Sequence, residues 1–121
     1  MGASSAAWVY GLQQNADSRT NLALVNSGEV DGSTDIFSIE VFDGETGEKM
    51  STIDGIAVKA KRWLQFNSVL ANRAPGVSQG YVRISRTAGT NPFLAYAVVN
   101  DGAKAGEGTG DATLMMMVPE K

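Results

Sequence analysis

Apolar and polar residues alternate along much of the chain, and a period of two is typical of a β-strand with one buried face. Phe37, Ile39 and Val41 alternate in this way with polar neighbours, and the segment 81–86 alternates as regularly. In the segment 93–99 the odd and the even positions are both apolar, which is typical of a central strand covered on both sides. These three segments predict the middle strands of an antiparallel structure.

Four further segments also have apolar residues placed as in a β-strand, and they extend the prediction to seven strands. They cover residues 6–13, 20–26, 58–67 and 112–118. In the first of them, Trp8, Tyr10 and Leu12 are in register on one face. In the third, we expect Trp63 and Phe66 to pack in the core or at its rim, because aromatic rings bury the most apolar area per residue.

Glycine, with 14 residues, marks the turns between these segments. Asp-Gly pairs begin at positions 31, 43, 54 and 101, and both residue types readily adopt the left-handed backbone region that tight turns need. Helix is nearly absent from the pattern: a single turn is predicted over residues 68–72, with Asn67 as its cap. We therefore expect each Asp-Gly pair to form a turn.

The chain has 121 residues, enough for one domain with its own core, and no shift in composition divides it. Seven or eight short strands separated by such turns predict an all-β sandwich or barrel spanning residues 1–121, and two antiparallel sheets joined by Greek-key crossings are the favoured form. Residues 1–5 are predicted to be a flexible N-terminus, and residues 102–110 a glycine-rich loop.

Composition and charge exclude several kinds of function. The chain has no cysteine and no histidine, which rules out disulfides, thiol nucleophiles, the Ser-His-Asp triad and the usual zinc ligand sets. The net charge of −3 and the lack of a long apolar run argue against nucleic-acid binding and against a membrane span. Residues 1–5 lack the features of a signal peptide, and we predict no cofactor.

The strand at 19–26 has the sequence Arg-Thr-Asn-Leu-Ala-Leu-Val-Asn, and other motifs follow it in order. These are Trp63-x-Gln65-x-Asn67, a Gly-Tyr-Val-x-Ile strand at 80–84 and a Pro-Phe-Leu-Ala-Tyr-Ala-Val-Val-Asn-Asp strand at 92–101. In this order the motifs resemble those of immunoglobulin-like β-sandwich modules from secreted and cell-surface bacterial proteins. The resemblance implies that the all-β fold is an immunoglobulin-like antiparallel β-sandwich of seven or eight strands. It also implies an extracellular or cell-surface location and a noncatalytic role, and it supplies no ligand.

The first and last predicted strands carry no internal proline or charge, the residues that usually protect an exposed sheet edge from pairing. A terminal strand beside a glycine-rich segment can pair with the sheet of another molecule, either its own copy or a neighbouring domain of a host protein. The candidate residues for such self-assembly are Leu114, Met115, Met116, Met117 and Val118. In the alternative, Leu114, Met116 and Val118 face the chain's own core, and Met115 and Met117 are partly exposed.

Carbohydrate binding is a second hypothesis, because exposed aromatic rings can stack on sugars. The candidate rings are Trp8, Tyr10 and Trp63, and Tyr81 and Tyr96 are further aromatic residues on predicted strands. The alternative is that strand parity places several of these rings inside, where a domain of this size needs them for its core.

Calcium is a third hypothesis, since oxygen ligands gather in two acidic segments. These contain Glu29, Asp31 and Asp35, and Asp43, Glu45 and Glu48.

Catalysis is not expected, because no pair of carboxylates lies on an apolar strand and Glu40 is opposite in parity to its apolar neighbours. The sequence therefore predicts a noncatalytic extracellular structural or interaction module that self-associates through a terminal edge strand. The alternative is a carbohydrate-binding module, assisted by calcium.

Overall fold

Two antiparallel sheets packed face to face make up the protein in a computed structural model, which describes residues 5–102 and 112–120. The strands are β1 (Ala6–Gln13), β2 (Ser18–Asn26), β3 (Asp35–Asp43), β4 (Lys49–Val58), β5 (Trp63–Phe66), β6 (Gln79–Ala88), β7 (Phe93–Asp101), β8 (Ala112–Met116) and β9 (Val118–Pro119), and the helix is α1 (Val69–Arg73). The five-stranded sheet has the order β4-β3-β6-β1-β9, and the four-stranded sheet has the order β5-β2-β7-β8.

This architecture confirms the predicted all-β antiparallel sandwich. The described residues contain nine strands where seven or eight were expected, and the last of them is only two residues long. The predicted flexible N-terminus and glycine-rich loop lie outside the described residues, apart from Ser5 and Gly102.

The core lies between the two sheets. Phe37, Ile39 and Val41 of β3 are fully buried, as their alternation predicted. Leu22 and Leu24 of β2, in the opposite sheet, pack in the same core, together with Ala95 and Ala97 of β7. Because each strand contributes every second residue to the interior, the period-two pattern fixes which face is buried.

Strand β1 departs from the predicted parity. Trp8 and Tyr10 face outward, but Leu12 is fully buried, so the expected common face of these three residues was wrong. The register with β6 shifts between Val9 and Leu12, and Gly11 in this bulge has φ +81°. One extra residue reverses the parity of the strand, and glycine reaches this left-handed conformation without the cost that a side chain imposes.

The pair Asp54-Gly55 lies inside β4 and forms no turn, contrary to the prediction. The register between β3 and β4 shifts next to it, so the pair forms a bulge in a strand that the sequence did not reveal. The predicted strand over 58–67 is also wrong: β4 ends at Val58, and β5 begins at Trp63 in the other sheet. The intervening turn carries the chain from one sheet to the other.

The helix α1 is a short connector at nearly the predicted place, but its predicted cap is wrong. Ser68, in a left-handed conformation, precedes the helix and makes no side-chain capping bond. The backbone N–H of Ser68 donates instead to Oδ1 of Asn21 at 2.9 Å. Val69 and Leu70 are buried, so the helix covers one open end of the sandwich.

No helix among residues 5–102 and 112–120 has the length and apolar character needed to cross a membrane.

Candidate interaction surfaces

Most of the outer surface of the four-stranded sheet is apolar. Directly paired residues of adjacent strands lie on the same face of a sheet, so the pairing registers define four rows across it. The row Arg19-Asn100-Ala112 at one end is polar. The other three rows are Trp63-Val25-Leu94, then Ala23-Tyr96-Met116 with Gln65 at the β5 edge, then Val98-Leu114 with Asn21 on β2. The eight apolar residues of these three rows are called the apolar face, and none of the ten residues in the three rows is charged.

Several side chains of the apolar face are exposed to solvent. The exposed fractions are 62% for Trp63, 56% for Leu114, 49% for Met116 and 39% for Leu94. The expectation that Trp63 packs in the core was therefore wrong, whereas Phe66 does pack against it. Trp63 is exposed because β5 is an edge strand and Trp63 has the outward parity of its partner Val25.

The C-terminal segment divides between the two sheets instead of forming one strand over 112–118. Strand β8 ends at Met116, and the chain then crosses to β9, where Val118 lies opposite Trp8. No residue of β8 therefore lies beside Leu94, which leaves a gap at one corner of the apolar face. Trp63 lies in the same row at the opposite edge.

The parity proposed for this segment was also wrong. Met115 and Met117 pack against the core, while Leu114, Met116 and Val118 are exposed. The core beside β8 is lined by the small residues Ala95 and Ala97, so the long flexible methionine side chains have room to fill it. The Sδ atom of Met117 also accepts the backbone N–H of Ala95 at 3.2 Å.

A second exposed surface lies on the five-stranded sheet and consists of four aromatic rings. This aromatic cluster comprises Trp8 and Tyr10 of β1, Phe42 of β3 and Tyr81 of β6. Phe42 and Tyr81 stack at 5.0 Å between centroids with an interplanar angle of 9°, and Trp8 and Tyr10 are nearly parallel at 6.2 Å. Tyr10 is the most open ring, with 48% of its surface exposed.

Charged side chains hold one side of this cluster in place. Arg83 donates two hydrogen bonds to the Glu120 carboxylate, at 2.9 and 2.8 Å, and one to Glu40 at 3.3 Å. Its guanidinium carbon lies 5.9 Å from the Trp8 ring centroid, and the indole N–H of Trp8 donates to Glu120 at 3.1 Å. The hydrogen bonds from Arg83 lower the pKa of Glu120, and the same bonds raise the pKa of Arg83.

The acidic loop at one end of the sandwich is closed by hydrogen bonds. The Oδ1 atom of buried Asn91 accepts the backbone N–H groups of Val30 and Asp31, at 2.9 and 3.0 Å. Hydrogen bonds from Ser33, together with one from Thr90, lower the pKa of Asp31. The described part of the chain contains no group of three or more acidic side chains placed to hold a metal ion.

The polar residues of the strand at 19–26 join this strand to neighbouring segments. Buried Thr20 bonds both the N–H and the C=O of Gln13, and Arg19 donates to the carbonyl of Gly102. Asn26 donates to the carbonyls of Ser33 and Val58 at 3.1 and 2.9 Å. The motif that carries the resemblance thus contributes to the framework of the sandwich.

The structure separates the residues that the sequence grouped as candidate sites. Leu114 and Met116 lie on the apolar face, whereas Val118 lies on the five-stranded sheet. Trp8 and Tyr10 come together in the aromatic cluster, but Trp63 belongs to the other sheet.

Sequence reasoning missed other members of these surfaces, which come from strands distant in the chain. They are Val25 and Leu94 of the apolar face, and Phe42, Arg83 and Glu120 at the aromatic cluster. Only cross-strand register brings them together, although the outward apolar parity of the strands at 20–26 and 93–99 was a usable indication.

The structure thus defines an all-β sandwich domain with two distinct outer surfaces. A solved structure described as Thermotoga maritima 1070 has the same fold: the TM-score is 0.71 at 11% identity, over 99% of this chain and 97% of that one. The Anabaena sensory rhodopsin transducer is less similar, with a TM-score of 0.49 at 11% identity over 78% of this chain and 94% of that one. No family model matches the chain, and no curated protein matches it in sequence.

Proposed function

We propose that this domain is a noncatalytic protein-interaction module, located outside the cell or at the cell surface. The observation that carries the proposal is the uncharged apolar face, whose most exposed residues are Trp63, Leu114 and Met116. The resemblance of the strand at 19–26 to modules of secreted and cell-surface bacterial proteins supports the location. The lack of cysteine and histidine supports a role without catalysis.

The size of the apolar face supports a role in binding. The ten positions of the three rows, on strands about 4.8 Å apart, cover a footprint of roughly 330 Å². The largest apolar patch of a typical monomer is about 300–600 Å² and is often functional. Removing roughly 330 Å² from water contributes about 8 kcal/mol before the costs of association are subtracted.

Fluorescence of an apolar dye such as anilinonaphthalene sulfonate tests whether this face is open in solution. We expect dye binding by the dilute protein to fall sharply in the double variant Leu114→Lys/Met116→Lys. Val30→Lys/Met50→Lys is the matched control, because it adds the same charge at exposed apolar residues outside the face. Equal dye binding by the two variants, with equal urea midpoints, would contradict the proposal.

Carbohydrate binding is a second candidate function, favoured by a separate observation. Trp8 and the open ring of Tyr10 lie side by side, next to hydrogen-bonding groups of Glu40 and Glu120. Sugar C–H groups pack on aromatic faces, and sugar hydroxyls bond to carboxylates. The test is titration with cellohexaose and chitohexaose in a Trp63→Phe background, where Trp8 is the only tryptophan.

We expect the Trp8 emission to change on titration and the change to be lost in Tyr10→Ala. Leu94→Ala, on the opposite sheet, serves as the control. Unchanged emission with both oligosaccharides would rule out this candidate for these sugars.

A further inference from the structure

We propose that a second copy of this chain covers the apolar face, so that the protein forms a two-fold dimer with its four-stranded sheets packed against each other. This inference rests on the proposed function, because it names the partner of the same surface. Two sheets can pack in this way at a separation of about 10 Å, the same distance that separates the two sheets inside a sandwich.

The chain itself offers little that could cover the face. Among the residues that the structure does not describe, Met1 is the single large apolar residue. The longest undescribed stretch, at 103–111, reads Ala-Lys-Ala-Gly-Glu-Gly-Thr-Gly-Asp and has only alanine as an apolar side chain. These residues cannot replace water over Trp63, Leu114 and Met116 with comparable apolar area.

Charge favours a second copy as the occupant. Two identical surfaces repel each other when they carry net charge, and this protein has a net charge of −3. The three rows of the apolar face contain no charged residue, so two copies bring no like charges into contact within them. The adjoining row contains Arg19, whose guanidinium donates to the carbonyl of Gly102.

The area is that of a weak contact. With a footprint of roughly 330 Å² and side-chain relief above it, each copy contributes about 400 Å², so the dimer buries about 800 Å² in total. Contacts below about 1,200 Å² are typical of weak and transient association. We therefore expect a dimer that dissociates on dilution.

The shape of the face indicates one arrangement. A two-fold axis parallel to the strands, between β2 and β7, stacks β5 of one copy over β8 of the other. Trp63 of each copy then lies over the gap beside Leu94 of its partner, where β8 is absent because the chain has crossed to the other sheet. The most exposed side chain of the face thus lies over the corner that no residue of β8 covers.

This arrangement differs from pairing through the terminal edge strand. Edge pairing joins β8 of two molecules by backbone hydrogen bonds and leaves Trp63, at the far edge of the sheet, in water. Face-to-face packing buries Trp63 and leaves the outer edge of β8 unpaired. The emission of Trp63 therefore distinguishes the two.

Sedimentation velocity over a hundredfold concentration range tests the dimer. We expect the mass to rise from 12.7 kDa towards twice that value as the concentration increases. Over the same range we expect the emission of Trp63 to shift to the blue, where this emission is the spectrum of the wild type minus that of Trp63→Phe. Leu114→Lys/Met116→Lys should stay monomeric, and Val30→Lys/Met50→Lys should behave like the wild type.

Two outcomes would overturn the inference. The first is a monomer at every concentration. If dye binding still depends on Leu114 and Met116 in that case, the apolar face remains an interaction surface, but its partner is a different protein. A dimer that survives the Leu114→Lys/Met116→Lys change, without a shift in Trp63 emission, would show that another surface is used.

Cysteine cross-linking tests the arrangement, because the chain has no cysteine of its own. Positions 63 and 94 are separated by β2, so their Cα atoms lie about 10 Å apart within one chain. That distance is too long for an internal disulfide, and a separation of about 10 Å between packed sheets is too long for a disulfide between copies. We therefore mix Trp63→Cys with Leu94→Cys, each with a single cysteine, and add a short bismaleimide cross-linker of matching length. We expect this mixture to give mixed covalent dimers at least tenfold faster than a mixture of Val30→Cys and Met50→Cys. Equal rates would overturn the two-fold pairing described above.

Discussion

At the scale of single residues, a few buried polar side chains determine how the loops of this sandwich close. Asn91 accepts two backbone N–H groups from the loop that precedes β3, and Asn26 donates to two carbonyls on different segments. A backbone group buried without a partner costs about 1–3 kcal/mol, so each amide satisfies groups that would otherwise oppose folding. These two side chains explain how hydrogen bonds close loops that are rich in Asp and Ser.

Gly89 is predicted to tolerate no side chain. Its φ is +107°, and a Cβ atom there would lie 2.8 Å from the Cα atom of buried Asp35, which is backbone and cannot move aside. We expect Gly89→Ala to lower the free energy of unfolding by at least about 2 kcal/mol more than Gly76→Ala. Gly76 is the matched control, because its φ of +87° is also positive but nothing lies within 4 Å. Equal urea midpoints for the two variants would contradict the prediction.

Glu120 is predicted to make stability depend on acid pH. Because Arg83 lowers the pKa of Glu120 in the folded state, this carboxylate stabilises the fold above the ordinary pKa of glutamate, near 4.5. That contribution is lost as the pH falls through the lowered pKa of the folded protein. We expect Glu120→Gln to be less stable than the wild type at pH 7 and to lose less stability between pH 5 and pH 3.

Urea denaturation at each pH measures this effect. Glu45→Gln, at an exposed position outside the Arg83 network, should keep the wild-type slope. A slope in Glu120→Gln equal to that of the wild type would show that the ion pair does not contribute.

At the scale of elements, alternation predicted the strands well where they are regular and failed where they bulge. The predicted parity of β3 was correct, because buried residues alternate with partly exposed ones, with no bulge in β3, through residues 37–41. In β1 and β4 one extra residue at a bulge reverses the parity, and both bulges contain a glycine with positive φ. A glycine in an alternating segment is therefore as consistent with a bulge as with a turn, and only the partner strand decides between them.

The parity of β8 leads to a prediction that separates two adjacent methionines. Met115 packs against the core, and Met116 projects from the apolar face. We expect Met115→Ala to reduce the free energy of unfolding by about 1–3 kcal/mol, and Met116→Ala by less than about 0.5 kcal/mol. Urea unfolding at a concentration where the protein is monomeric measures both. Equal losses would contradict the parity described here.

At the scale of the whole molecule, the two outer sheet surfaces have opposite character. The five-stranded sheet presents ion pairs around its aromatic cluster, and the four-stranded sheet presents an uncharged apolar face. A sandwich needs only its inner faces to be apolar. The asymmetry between the outer faces is therefore the feature of this molecule that folding alone does not explain.

Salt is predicted to strengthen association, because the contact is apolar. We expect the dissociation constant to fall when sodium sulfate is added, since excluded salts favour the burial of apolar surface. An association held by ion pairs would weaken as ionic strength rises. Sedimentation at several sulfate concentrations measures the trend, and Val30→Lys/Met50→Lys should follow the wild type. A dissociation constant that rises with salt would point to the charged surface instead.

The sequence alone determined the all-β sandwich and most of the core. These follow from local rules, since the period-two burial of Phe37, Ile39 and Val41 and the glycine-rich turns need no knowledge of distant residues. It also indicated the segment from Leu114 to Val118 as a candidate for self-assembly, because the first and last strands lack protective charges, but it did not distinguish the exposed residues of this segment from the packed ones.

Only the tertiary structure decided which residues share a surface. Trp63 and Leu114 are 51 positions apart and meet on one face through the register of four strands, whereas Val118, four residues after Leu114, belongs to the other sheet. Register and bulges depend on long-range pairing, and a shift of one residue moves every following side chain to the opposite face. For that reason the chain's own pattern predicted the strands but not the surfaces that they build.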